Sequence, residues 1–469
     1  MSLVKKALAE NRLTLSLASP MIAGQLGQMM MGWADTIMVG RLGVVPLAAC
    51  AFAIMVVHVF LVFGFGLITS VSICVSRAFG ANEHREAGEF LIAGTVLSAV
   101  AGCLMALAIQ IVAPWLHLLG QDPEVIREAK AFLILVGWSI VPALITVTGK
   151  DYSESLSRPW LPFWIIIGGV GLNIFLNWLF IFGNMGMPKM GLTGAGLGTL
   201  VARIAVVIVL YAAILLNKSY RPYLVGRVTW ETFVQRFSVL FRLGWPSAVH
   251  LLGEVGLFAS ATLMMGWIGV TALAAHQIAL NCAATAFMVP LGLALAVTVR
   301  IGQVVGAKEH FRVRTIAFGA FGLGILLMSC FSILFIVCGP WIAQFFVSDT
   351  EVIALAAALL VIAGLFGIFD ASQIIGMGGL RGLADVRVPM FFIYIAYWCI
   401  AAPIAYVLGF HTKMGALGIW AGLLVGLFFT ALAITVRLWI MSGKEAAILV
   451  GQNLQRKIEM SSEKDSIVP

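Results

Sequence analysis

Apolar runs of twenty residues or more recur along the whole of this 469-residue chain, each closed by a short polar segment. A helix needs about 20 mostly apolar residues to cross roughly 30 Å of hydrocarbon. Residues 13–39, 46–72, 88–113, 129–149, 160–182 and 190–216 each suffice, and 239–267, 271–299, 313–338, 352–377, 388–410 and 415–441 follow. The expectation is an all-α polytopic membrane protein with twelve transmembrane helices. Composition agrees: only 11% of residues are charged and 61% are apolar or aromatic. A soluble domain carries roughly a quarter of its residues as charges, so a soluble enzyme, a disordered chain and a collagen-like repeat are excluded.

The 29 Lys and Arg exceed the 21 Asp and Glu, a net charge of +8. With the amino terminus in the cytoplasm, and residues within five of a span end counted with the adjoining segment, 23 of the 29 fall on the inner side, 5 on the outer side, and Arg203 lies well inside a span. Cytoplasmic loops carry the basic excess in membrane proteins, so both termini are expected in the cytoplasm and no nucleic-acid partner is needed to explain the charge. The seven Cys sit in or beside apolar stretches with no metal-type spacing and read as small hydrophobes. No cleavable signal peptide is evident, because Lys5, Lys6 and Arg12 lead into a run too long for one. The expected organisation is an amino-terminal lobe at 1–216, a cytoplasmic inter-lobe loop at 217–242, a carboxy-terminal lobe at 243–441, and a cytoplasmic tail at 442–469.

The two lobes repeat one another. Gly40, Gly43, Val44, Leu47, Ala48 and Ala49 recur 226 residues later as Gly266, Gly269, Val270, Leu273, Ala274 and Ala275. The same shift pairs Pro20 with Pro246, Gly66 with Gly292, and Pro114-Trp115 with Pro340-Trp341; one residue of drift then pairs Leu156 and Pro162 with Leu383 and Pro389. Six spans per repeat is an even number, so both lobes enter the membrane from the same side as parallel six-helix repeats. That is a transporter architecture, and alternating access gives a physical need for two equivalent halves that a receptor or intramembrane enzyme lacks.

An ionisable side chain inside a span costs about 2.5–3.5 kcal/mol. Apart from Glu89, the second residue of its run, three acids stand there: Asp35, Glu254 and Asp370. The repeat aligns them with Ala261, Gln28 and Ala143, so each lobe has its own set. Asp35 follows Gln28 by seven residues, two helical turns, which puts both on one face. Asp35 also lies about a turn from the outer end of its span, where a loop-capping role is the plain alternative. Glu254 is deep in its span with His250 one turn earlier, and Asp370 has no Lys or Arg within a turn. Such carboxylates suit the binding and release of a proton or of a cation that replaces it. Asn173 and Asn177, four residues apart, share a face and add carbonyl oxygens or cross-helix hydrogen bonds. His250 and His276 read more simply as packing donors. Met29, Met30 and Met31 suit packing, or the adaptable lining of a binder of many shapes.

No GxxxxGK[ST] loop, HExxH pair or GxSxG elbow occurs, so an enzyme is not expected, and an ion gradient or a partner must supply the energy. Gly32-Trp33-Ala34-Asp35-Thr36-Ile37-Met38-Val39-Gly40, Ala274-Ala275-His276-Gln277-Ile278-Ala279, and Leu380-Arg381-Gly382 leading to Asp385-Val386-Arg387-Val388-Pro389 resemble the multidrug and toxic compound extrusion family, in its NorM-like bacterial branch. Leu156-Ser157-Arg158-Pro159 in the first lobe extends the likeness. The resemblance implies a V-shaped pair of six-helix lobes in the bacterial inner membrane. It implies a multidrug efflux antiporter that exports small organic cations in exchange for H⁺ or Na⁺, with no cofactor, as a monomer in the bilayer. It carries a first-lobe site onto Asp35, Asn173 and Asn177, and a second-lobe site for H⁺ or Na⁺ onto Glu254 and Asp370. Where some NorM-like members have a Tyr one turn before the second-lobe Asp, this chain has Phe366, which offers no oxygen. That departure favours H⁺, or Na⁺ completed by water or backbone. The competing expectations are a lipid-linked oligosaccharide flippase of the same wider superfamily and a non-transporting structural or receptor protein. The first should line its cavity with Arg or Lys, and the second leaves three buried acids unexplained.

Overall fold

The computed structural model describes residues 3–119 and 122–443, and among these all regular structure is helical. The first repeat is α1 (Leu3–Gly40), α2 (Val44–Gly80), α3 (His84–Val112), α4 (Pro123–Trp138) and α5 (Ile140–Ser155), which share one span interrupted at Ser139, α6 (Trp160–Phe182) and α7 (Gly191–Leu216). The second is α8 (Trp230–Ile268), α9 (Val270–Gly306), α10 (Val313–Phe346), α11 (Thr350–Gly382), α12 (Arg387–Tyr394) and α13 (Ala402–Phe410), joined by a π-helical turn over Ile395–Ala401, and α14 (Ala416–Met441). Counting each interrupted pair once gives twelve spans. Eleven of them are long and apolar enough to cross a membrane; α1, which carries Gln25, Gln28 and Asp35, is not among the eleven. Residues 444–469, most of the expected tail, lie outside the described residues.

The repeat is legible in the backbone. Asn82 and Lys308, 226 apart, both have φ near +60°, as do Ser157 and Ala384, 227 apart. Asp122 caps α4 by accepting from Glu124 N at 2.8 Å, and Asp349, 227 later, caps α11 by accepting from Glu351 N at 2.9 Å. Gly191 (φ +56°) and Gly415 (φ +53°) open α7 and α14 at a shift of 224. Non-glycine residues rarely adopt positive φ, so these turns are inherited features of one fold used twice.

The described residues gather into two compact units, 23–248 and 3–22 with 249–443. Relative to the lobes at 1–216 and 243–441, residues 3–22 belong to the second unit and 217–248 to the first. The divisions fall just after Pro20 and Pro246, inside α1 and α8. Close packing holds the exchanged segments. A Cβ on Gly66 would lie 2.7 Å from Ala248 N, and one on Gly292 would lie 2.9 Å from Ile22 N, the same contact one shift later. Ion pairs do so as well, with the charges reversed. Arg236 of α8 meets Glu86 at 2.7 Å and Glu89 at 3.1 Å, whereas Glu10 of α1 meets Arg312 at 2.9 Å and also Arg300. The shift carries Glu10 onto Arg236 and Glu86 onto Arg312.

Candidate functional site

In the unit of residues 23–248, four polar side chains form a chain that starts at α1. Asn177 Nδ2 donates to Asp35 Oδ1 at 2.6 Å and lies 3.3 Å from Asn173 Oδ1; Asn173 Nδ2 donates to Thr199 Oγ1 at 3.3 Å, and Thr199 donates to Ala195 O at 3.0 Å. Asp35 therefore answers to a residue 142 positions away, and the loop near Gly40 does not use it as a cap. Glycines in α7 allow this. A Cβ on Gly194 would lie 2.6 Å from Phe180 O, and one on Gly198 would collide with the Asn177 side-chain oxygen, so α6 presses its two Asn against α7 only because those positions have no side chain. Asn173 and Asn177 are fully buried.

Asp35 faces a cavity of about 470 Å³ lined by α1, α2, α4, α5, α6 and α7. Gln28, on the same face of α1, also lines it, with Met29, Met31 and Phe65 among the apolar walls. Arg203 on α7 is the cation of the wall. Its Nη1 donates to Ser139 Oγ at 2.8 Å and to Ser139 O at 3.3 Å, at the break between α4 and α5. Arg203 was legible in sequence only as the one basic residue near the middle of a span, and nothing local placed it beside Asp35.

In the other unit, Asp370 on α11 is 8% exposed, and no protein donor meets its carboxylate among the described residues. Glu254 on α8 is its electrostatic neighbour. His250 Nε2 is 3.7 Å from Glu254 Oε2, too far for a hydrogen bond, and His250 Nδ1 is 3.5 Å from an Arg381 nitrogen. Two residues not singled out from sequence complete the cluster. Gln373, one turn after Asp370, donates from Nε2 to Tyr397 Oη at 2.7 Å, and that hydroxyl lies 2.9 Å from Gln373 Oε1. Tyr397 stands in the π-helical turn and lies within electrostatic reach of both Glu254 and Asp370. The oxygen that Phe366 lacks is thus present on a different helix. The available signal was Gln373 one turn after Asp370 and Tyr397 as one of three Tyr, with Tyr394 and Tyr406, in an otherwise apolar span. His276 is structural: Trp420 Nε1 donates to its Nδ1 at 3.1 Å, which leaves Nε2–H to face Thr262 Oγ1 at 3.0 Å.

The repeat superimposes the two sites. Cavity-lining Gln28, Ala143, Thr146 and Val170 map onto Glu254, Asp370, Gln373 and Tyr397. One pocket position therefore carries two chemistries. Below it the second copy is filled. Gly32, Ser139 and Gly196 map onto Phe258, Phe366 and Trp420, whose rings stack edge-on with centroids 5.9 and 5.8 Å apart, and Thr199 and Arg203 map onto buried Leu423 and Leu427. The first copy holds a space for an organic molecule. The second brings Glu254, Asp370 and Tyr397 within electrostatic reach of one another, with Gln373 hydrogen-bonded to Tyr397.

A model of the MatE family matches residues 20–179 and again 246–407, each match opening at one of the two paired prolines. The probable multidrug resistance protein NorM of Bradyrhizobium diazoefficiens is 38% identical over 432 residues, which cover 90% of this chain and 92% of that one. Its namesake in Mesorhizobium japonicum is 35% identical over 444 residues, covering 92% and 94%. Among solved structures, the eukaryotic MATE transporter AtDTX14 matches with a TM-score of 0.86 at 20% identity, over 95% of this chain and 99% of its own, a likeness of fold.

Proposed function

This chain belongs to the MatE family, in its NorM-like branch, whose members are transporters and not enzymes; from that premise we infer that it is a multidrug efflux antiporter of a bacterial inner membrane. It exports organic cations and related drugs in exchange for H⁺ or Na⁺. The observation that carries this reading is the 470 Å³ cavity with a carboxylate in an apolar wall. Ligand pockets run from about 300 to 1,000 Å³ and combine apolar walls with a few placed polar groups. Met and Phe walls adapt to many shapes, and Asp35, held by Asn177, supplies the charge that a cationic drug needs.

The coupling ion belongs at the second-lobe cluster. Asp370 has no donor to satisfy its carboxylate among the described residues, so a proton or a metal cation is the natural partner, with Glu254 to share the charge and with Tyr397 and Gln373 to add oxygens. The basic excess on the inner segments supports cytoplasmic termini. The test is transport by purified protein in liposomes under Na⁺ and pH gradients imposed one at a time. Uphill drug movement under one of them, without nucleotide, is expected. Drug movement that needs ATP and ignores both gradients would contradict the reading.

A further inference from the structure

Two opposite charges share the first-lobe cavity within electrostatic reach of one another but without a direct ion pair among the described residues. Asp35 and Arg203 both line it, yet the hydrogen bond of Asp35 runs to Asn177 and those of Arg203 run to Ser139. No ion pair joins them among the described residues. Only Nη1 of Arg203 is engaged. A guanidinium has five N–H donors, so the three on Nε and Nη2 remain, along the edge whose fork matches a carboxylate. Ser139 fixes the plane of that fork by holding its far corner.

The repeat argues that packing does not require this cation. The equivalent of Arg203 is Leu427, 2% exposed, and the equivalent of its anchor Ser139 is Phe366, 4% exposed. The same fold position is therefore occupied by two buried hydrophobes in the second repeat. A cation within a span costs about 2.5–3.5 kcal/mol even on a lenient scale, and this arginine lines a cavity large enough for a ligand.

We propose that Arg203 is the acid-recognising group of this transporter: it takes the carboxylate of a zwitterionic substrate whose ammonium group faces Asp35. The proposal rests on the reading that the first-lobe cavity holds the exported molecule. It adds that the cavity selects molecules bearing both charges over lipophilic cations of the same shape. Against a plain cation Arg203 is repulsive, and against a zwitterion it is a second anchor, so one residue supplies both sides of the discrimination.

The experiment compares a piperazinyl quinolone carboxylic acid with its own ethyl ester, which keeps the amine and the ring system and removes the anion. Purified protein in liposomes is assayed for uphill movement of each under the same ion gradient. Wild type is expected to favour the acid, and Arg203→Leu, which installs the residue of the second repeat, to lower the acid-to-ester flux ratio by about tenfold or more. Arg203→Lys, a point charge without the fork, should give an intermediate ratio. A wild-type protein that moves acid and ester equally, or an Arg203→Leu ratio equal to that of wild type, would overturn the proposal. Because the readout is a ratio, a general loss of folded protein does not imitate it, and the wild-type preference is decisive even if Arg203→Leu folds poorly. Failure of the underlying reading looks different: wild type then moves neither probe uphill under any gradient.

Discussion

At Asp370 the protein keeps a carboxylate in a membrane-spanning helix with no donor to hold it among the described residues, while the matching position 227 residues earlier is Ala143. A buried acid without a partner adds nothing to packing, so its loss should be tolerated by the fold and not by the function. Asp370→Asn and Glu254→Gln are expected to lower gradient-driven export by an order of magnitude or more while the unfolding temperature in detergent stays near that of wild type, since neither change strands a hydrogen-bond partner. Near-normal uphill transport by both variants would move the coupling site elsewhere. The acids of both clusters, Asp35, Glu254 and Asp370, were legible as residues because charge in an apolar run is conspicuous. Their partners were not. Tyr397 lies 27 positions from Asp370 and Arg203 lies 168 from Asp35 in sequence, and no periodicity of a single helix reports which neighbour a side chain meets.

The helices α1 and α8 show what an element adds to its residues. Each carries a proline where the chain changes unit, and each sends its amino-terminal segment to a clamp of opposite polarity. Glu10 precedes the apolar stretch 13–39. Burial raises its carboxyl pKa, but the hydrogen bonds and charges of Arg312 and Arg300 outweigh that and hold it below the usual range. A depressed folded-state pKa stabilises the protein above the unfolded value and loses that contribution as pH falls through the folded one. Hydrogen bonds to charged groups are worth about 1.5–3 kcal/mol, so Glu10→Gln should lower the unfolding temperature by a constant amount between about pH 6 and pH 8. The gap between variant and wild type should close only in more acid buffer. A gap that closes already near neutrality would mean that Glu10 titrates there, contrary to its surroundings. The prolines and the repeat shift were plain in the sequence, whereas the exchange of segments was not, because it depends on contacts such as Gly66 with Ala248 and Gly292 with Ile22.

At the scale of the whole molecule, one fold used twice carries Gly32, Ser139, Gly196 and Arg203 in one copy and the bulky apolar Phe258, Phe366, Trp420 and Leu427 at the same positions in the other. The difference suggests its own test. Gly32 becomes Phe258 one shift later, and a Cβ on Gly32 meets nothing within 4 Å. Gly32→Phe should therefore enter without steric conflict, gain helix propensity of up to about 1 kcal/mol, and occupy the cavity as Phe258 occupies its own surroundings. Export of bulky drugs is expected to fall at least tenfold with normal yield and unfolding temperature, while a small substrate is less affected. Unchanged export of a bulky drug would remove the cavity from the transport path. The converse change, Trp420→Gly, removes a buried side chain 1% exposed and should cost about 3–5 kcal/mol of stability.

The sequence by itself determined the membrane as solvent, the number of spans, the duplication and the identity of the buried acids, because each of these is written in local hydrophobicity or in a comparison of the chain with itself. Tertiary structure alone decided that Asp35 is gripped by Asn177, that Arg203 lines the same cavity and bonds to Ser139, that Tyr397 and Gln373 stand with Asp370, and that Phe258, Phe366 and Trp420 pack edge-on in the second copy. The physical reason is that apolar spans are nearly interchangeable in what they ask of lipid. Which faces they turn to one another depends on small residues such as Gly194 and Gly198, whose missing side chains set helix approach without leaving any mark in hydropathy.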